Sequence, residues 1–364
     1  MVPLYRRGIA PGNIVNSGFD AAISLVWIVG AACALGAAWQ AKFHRLAALV
    51  LTGGAGLATC VTFVWFSAPD LALTQLLVEI VTTVLILLGL RWLPKRLPLQ
   101  QTWRDALAAA PRRLRDFALA LGAGCGVAAL AYAVMTSPPP DTIADFFITR
   151  AYPEGGGTNV VNVILVDFRG FDTMGEITVL GAVAIAVYSL LRRFRPARES
   201  IAAPAPQSTQ DTASTADDLL VPSIIVRFMF PVVVALSLFL LFRGHNLPGG
   251  GFVAGLTMAV AIILQYMAGG TRWTEDRLHI KPVRWIGIGL LLAALTGAGA
   301  WLWGEAFLTS GALHFHLPVI GDVHMLSVLA FDLGVYSLVL GATVLMLIAL
   351  AHQSIRSHRA PRQP

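Results

Sequence analysis

Apolar runs of about 20 residues, separated by short basic or small-polar clusters, recur along almost the whole chain. A run of that length matches a hydrocarbon core about 30 Å thick at about 1.5 Å of helix rise per residue. The pattern predicts nine transmembrane helices, at about 19–39, 45–66, 70–93, 116–136, 174–193, 222–243, 247–269, 283–303 and 327–352. One further apolar interval, Gly155–Asp167, is too short to cross. It suits an interfacial or re-entrant piece, which is tolerated at that depth only against protein or water. Residues 196–219, rich in Ala, Pro, Ser, Thr and Gln, have no hydrophobic face and read as a flexible cytoplasmic linker. The linker divides the chain into a five-helix module, 1–195, and a four-helix module, 220–364. No sequence repeat relates the two, which disfavours an inverted-repeat transporter.

Composition sharpens the class. The chain is 56% hydrophobic and 13% charged, with a mean hydropathy of +0.71. A soluble domain carries far more charge, so the expected fold is an all-α polytopic membrane protein. The net charge of +6 is a topology signal and not a nucleic-acid footprint. Twenty of the 26 lysines and arginines fall on one side of the nine spans, five on the other, and Arg227 lies within a helix. The positive-inside rule makes the crowded side cytoplasmic, with the N-terminus outside and the C-terminus inside. Arg6 and Arg7 violate the rule and are outvoted. The segment after them lacks a cleavage pattern, so the first helix is expected to remain as a span. Cys33, Cys60 and Cys125 have no metal-ligand or redox spacing and read as small buried hydrophobes.

Within this apolar background a few polar residues stand out. Glu79 lies near the middle of a span, where a charge costs roughly 2.5–3.5 kcal/mol on insertion scales. Gln75, Thr82 and Thr83 are three or four residues from it and share its face, forming a polar stripe. The stripe suits an ion path or a helix interface. Asp70 is nine residues away, near the outer end and on the opposite face. Asp172 and Glu176, at i and i+4, mark the outer end of the fifth helix, where cation uptake and helix-dipole capping are both reasonable. The loop Phe242–Phe252 enters a helix N-terminus, and its three consecutive glycines suit close helix packing better than phosphate binding, since no Lys or Ser/Thr follows them. His314, His316 and His324 have no nearby carboxylate or Cys set and make a weak case for metal. Arg227 and Asp332 lie at helix ends, which leaves the four-helix module mostly scaffold. No motif for nucleotide binding, metalloprotease chemistry or a serine nucleophile occurs in a suitable setting, so neither an enzyme nor a cofactor is expected.

Two acidic stretches and the glycine loop resemble a known family. Ser67-Ala-Pro-Asp-Leu-Ala-Leu-Thr-Gln-Leu-Leu-Val-Glu79 and Asn162-Val-Ile-Leu-Val-Asp-Phe-Arg-Gly-Phe-Asp-Thr-Met-Gly-Glu176 are similar to the C-terminal region of the A subunit of Mrp-type multisubunit Na+/H+ antiporters. That region is in turn similar to the D and E subunits of membrane-bound hydrogenases. Phe242-Arg-Gly-His-Asn-Leu-Pro-Gly-Gly-Gly-Phe-Val-Ala-Gly255 resembles the B subunit of the same antiporters. The likeness covers about 15–195 and 220–352.

The resemblance implies a subunit of an electrogenic cation/proton antiporter in the bacterial inner membrane. It also implies partners in the other antiporter subunits, and Na+ and H+ as cargo. Carried over by motif, Glu79, Asp172 and Glu176 match acids associated with ion transport, and Asp70 matches an acid with a less defined role. The long antiporter-like region that precedes these motifs in A subunits is not found here, and no lysine lies mid-helix. The expectation is that a separate chain supplies the proton channel. Two other readings stay open: a non-conducting assembly subunit, and a subunit of a membrane-bound hydrogenase or complex I-like enzyme.

Overall fold

The computed structural model describes residues 20–41, 43–90, 103–136, 142–193, 220–269, 271–278, 281–317 and 321–359. The expected linker at 196–219 lies outside them. Among the described residues nine helices are long and apolar enough to cross a membrane, and all nine coincide with the runs read from the sequence.

The chain begins with α1 (Ala21–Gln40), α2 (Arg45–Trp65) and α3 (Pro69–Leu90). Between α2 and α3 the chain turns at Ser67, in the left-handed region at φ 57°. The Ala68 N–H reaches back to the Phe63 carbonyl at 2.8 Å, and Pro69 opens the next helix with its φ already set. Next come α4 (Trp103–Thr136), the short α5 (Ala144–Arg150) and α6 (Val160–Val163). A π-helical turn at Ile164–Phe168 then leads into α7 (Gly170–Arg193). Asn159 caps α6, its side chain accepting from the Asn162 N–H. The short apolar interval therefore does not cross. Val163 and Val166 are buried, so this interval packs against protein.

The second part contains α8 (Leu220–Arg243), α9 (Gly251–Gly269), α10 (Thr271–Leu278), α11 (Pro282–Gly299) and α12 (Ser327–Arg359). Between α11 and α12 a two-stranded antiparallel hairpin forms from β1 (Ala312–Leu317) and β2 (Gly321–Leu326), with His314 opposite His324 in the register. The hairpin falls in a connection that the hydropathy pattern leaves unassigned, because it is too short and polar to register as a span.

The chain forms two compact units. Residues 1–21 and 95–145 make one, in which α4 is almost wholly exposed along the described side chains. Residues 22–94 and 146–364 make the other. Its core is the pair α9 and α12, whose spans are 67% and 72% buried where no other span among the described residues exceeds 28%. The remaining helices present apolar faces outward, which suits lipid or neighbouring chains. Around this pair α8 lies along α9, α11 along α12, and α3 and α7 close the other side. Small residues permit the tight crossings that packing in lipid relies on. At Gly334 of α12 an added Cβ would lie 2.8 Å from the Gly289 carbonyl of α11. Ser237 of α8 donates to the Ala254 carbonyl of α9 at 2.8 Å with both groups buried.

Candidate functional site

Helix α3 carries two sets of polar groups on different faces. Toward α2 it presents Glu79, half-buried in a notch cut by glycines. An added Cβ at Gly56 would overlap the carboxylate, lying 3.0 Å from Oε1 and closer still to Oε2, while one at Gly53 would lie 3.8 Å from Oε1. Gln75 donates to Glu79 Oε2 at 3.4 Å, so the first pair of the expected stripe is formed. Thr82 turns its hydroxyl back onto the Val78 carbonyl at 2.7 Å. Thr83 is half-buried on the same helix.

On its other face α3 borders a cavity of about 350 Å³. Asp70 and Thr74 line it from α3, Asn162 from α6, Thr173 and Glu176 from α7, Gly249–Gly251 from the glycine loop, and Asp332 from α12. Three carboxylates thus border one space, and among the described residues none that line it is Lys or Arg. Such a wall attracts cations, and a low-dielectric surround focuses its field. The irregular backbone of the glycine loop forms part of the cavity wall at Gly249 and Gly250, and in a membrane such backbone is tolerable where it lines a cavity.

Each acid is held differently. Asp70 accepts from the Gly249 N–H at 3.0 Å through Oδ1 and from Asn159 Nδ2 at 3.1 Å through Oδ2. Asn159 also donates to the carbonyls of Gly244 and Leu247 at 3.1 and 3.2 Å. Asp70 is therefore a joint between α3, the approach to α6 and the glycine loop. Asp332 is 4% exposed and accepts from the Gly251 backbone and the Asn162 side chain. Gly251 begins α9, so the positive end of that helix faces Asp332. Glu176 is exposed and stands on the rim.

The glycine loop packs closely, as the spacing leads one to expect. Gly250 is at φ +94°, and a Cβ there would meet Asn162 Nδ2 at 2.8 Å. Its amides do more than allow that approach, since Gly249 and Gly251 each serve a carboxylate. His245, in the same loop, donates from Nε2 to the Gly155 carbonyl at 2.7 Å, and its Nδ1 lies 3.4 Å from Asn162 Oδ1.

Asp172 is not among the lining residues. It sits in the first turn of α7, half-exposed, and pairs with Arg169. Asp167, in the π-helical turn, accepts from the Ser310 N–H at 3.2 Å. Burial pushes its carboxyl above the usual 3.8, against the lowering effect of the Ser310 hydrogen bonds.

The structure thus gathers Asp70 and Glu176, keeps Glu79 and Gln75 apart from them on α3, and leaves Asp172 outside. It adds Asp332, Asn162, Thr74 and Thr173. The hydropathy pattern puts Asp332 at a helix end, in a module that reads as mostly scaffold. Asp332 does lie at that end, sixth in α12, and its burial there puts it in the cavity wall. The signal that singles out Glu79, a carboxylate inside an apolar span, applies equally to Asp332. Among the described residues no cluster of three or more His, Cys, Asp or Glu has the geometry to hold a metal ion.

Family models match most of the chain in three pieces. One described as the D subunit of MBH matches residues 29–95, and one described as the E subunit of MBH matches 111–208. A domain related to the MnhB subunit of Na+/H+ antiporter matches 221–345. The A/B subunit of a probable K+/H+ antiporter of Rhizobium meliloti is 60% identical over 370 residues, covering 98% of this chain and 37% of its own length. The B subunit of the Na+/H+ antiporter of Alkalihalophilus pseudofirmus is 33% identical over 131 residues, 36% of this chain and 91% of the relative. Among solved structures, the Mrp complex from a Dietzia species superposes with a TM-score of 0.77 at 29% identity, over 100% of this chain and 38% of the matched one. The chain spans little more than a third of the A/B relative and of the matched Dietzia chain.

Proposed function

Because the chain belongs to the Mrp-type multisubunit antiporter family, as the C-terminal region of an A subunit joined to a B subunit, we propose that it forms part of the cation path of a cation/proton antiporter in a bacterial cell membrane. The observation that carries this reading is the cavity edged by Asp70, Glu176 and Asp332, with no Lys or Arg in its wall among the described residues. Carboxylate, amide and hydroxyl oxygens suit a hard cation such as Na+ or K+. Glu176 draws the cation to the rim, and Asp332, with Asn162 and Thr173 beside it, receives it. Asp70 holds the wall together, since both of its oxygens are already occupied.

Glu79 serves as a second station on the other face of α3, loading and unloading near mid-membrane. Asp172 contributes surface charge at the outer end. The three lysines, Lys42, Lys95 and Lys281, lie outside the spans, so a proton channel built on mid-helix lysines comes from outside these 364 residues. The other antiporter subunits are the partners this reading requires.

The test is Na+- or K+-dependent dissipation of a pH gradient in everted vesicles carrying the whole complex. Glu79→Gln and Asp332→Asn should each lower activity per assembled complex at least about tenfold, equivalent to about 1.4 kcal/mol. Wild-type activity per complex in both variants would return the chain to an assembly role.

A further inference from the structure

A second polar pocket lies at the opposite end of the bundle, where α8 begins and α9 ends. Its volume is about 190 Å³, and Arg227, Phe230, Gln265, Trp273, Arg277 and Leu278 line it. The face is the one that the positive-inside rule assigns to the cytoplasm.

The walls of this pocket are firmly built. Gln265, 4% exposed, donates to the Val226 carbonyl at 3.1 Å and fastens α9 to α8. Thr274, fully buried, donates to the Gln265 carbonyl at 3.1 Å and fastens α10 to the last turns of α9. The Trp273 ring rests on Gly269, where any side chain would collide with it. Both guanidiniums then lie against that indole, Arg227 at 4.3 Å and Arg277 at 5.5 Å from the ring centroid. Among the described residues neither arginine has an ion pair with a carboxylate. Two cations held on one ring repel each other, and an anion with several oxygens relieves both. Arginine meets phosphate through paired N–H donors, and this geometry is what a phosphodiester offers.

The surroundings identify which phosphate. From the pocket, α8 runs into the membrane with Ile224, Phe228, Val232, Leu236 and Phe239 exposed at helical spacing, Phe228 at 73%. Arg227 stands at the edge of this outward apolar face, three positions after Ile224 and four before the exposed Pro231, and a charged head site beside such a face fits a molecule with a phosphate head and acyl tails. A free anion has no use for that face. Trp at the membrane–water boundary and basic pockets between helices on the cytoplasmic side both suit an anionic headgroup. We propose that Arg227 and Arg277, braced by Trp273, bind the phosphate of an anionic phospholipid whose tails lie along α8.

The probe is phosphatidylglycerol, added to the purified complex in detergent, with phosphatidylcholine and inorganic phosphate as controls. Thermal unfolding and the phospholipid that co-purifies are the two readouts. Phosphatidylglycerol should raise Tm by about 3 °C or more over phosphatidylcholine, and inorganic phosphate should not. Each arginine replaced by glutamine should weaken the lipid's binding about five-fold, and Arg227→Gln with Arg277→Gln should abolish the difference between the two lipids. Should the double variant fail to assemble, Arg277→Gln alone decides, since among the described residues that side chain has no ion pair to lose. Lysine at both positions should retain part of the effect. Equal responses to the two lipids, a full response to inorganic phosphate, or an undiminished response in Arg277→Gln would each overturn the proposal. So would an assembled complex that retains no phosphatidylglycerol because a neighbouring chain fills the pocket.

Discussion

Glu79 shows how much a single position owes to its neighbour across a helix interface. Its apolar setting is visible in the sequence, but the space for its carboxylate is made by Gly56 on α2. The two glycines of that notch should answer differently to the same change. Gly56→Ala places a methyl on the carboxylate and should destabilise by about 1–3 kcal/mol, as overpacking does. Gly53→Ala reaches only ordinary contact and should be neutral or gain up to about 1 kcal/mol from helix propensity. Thermal unfolding of the two variants checks the contrast, and equal effects would place Glu79 elsewhere. Asp167 makes a separate prediction, in pH. Its folded pKa is raised by burial, so its ionisation works against the fold. The stability linked to its proton is fully present below the ordinary 3.8 and is lost as pH rises through the folded value. Asp167→Asn keeps an oxygen for the Ser310 N–H and removes the charge. The variant should unfold at a higher temperature than wild type at pH 7, with the gap closing toward pH 4. A constant gap would mean that burial is not the cause.

At the scale of elements, the span positions were legible because each helix in lipid must be apolar over about 20 residues, a local property. Starts and ends differ where packing, not hydropathy, sets them. α7 begins at Gly170, four residues before the expected 174, because the π-helical turn feeds directly into it. α9 begins at Gly251 and not at 247, because Gly244–Gly250 form the loop that serves Asp70 and Asp332. The joint at Asn159 ties three segments through one amide. Asn159→Ala would leave one oxygen of Asp70 without its partner and free the Gly244 and Leu247 carbonyls. A cost of about 2–3 kcal/mol is expected, since a charged acceptor loses a donor. The measurement is thermal unfolding of the complex, with Asn159→Asp as a second variant that should be no better.

At the scale of the whole molecule, α3 and α7, from the part that resembles the antiporter's A subunit, do not stand apart from the helices that resemble its B subunit. α3 and α7 pack on α9 and α12 inside one compact unit. The cavity lies along that seam, so the transport variants Glu79→Gln and Asp332→Asn probe the two parts separately. If the seam carries the cation, Asp332→Asn should reduce transport while leaving the assembled complex intact by size-exclusion chromatography. Loss of assembly without loss of activity per complex would make the seam purely structural.

The sequence by itself determined the membrane class, the nine spans, the intramembrane carboxylate at Glu79 and the family likeness. Each of these is written in residues close together in the chain, because hydrophobic length and short motifs are local. Only the tertiary structure decided which acids meet. Asp70 finds the Gly249 amide 179 residues away, and Asp332 joins the same wall from the last helix. That outcome depends on which helix faces pack together, and packing in lipid is chosen by small residues and buried hydrogen bonds between distant segments. Periodicity along one helix cannot report it.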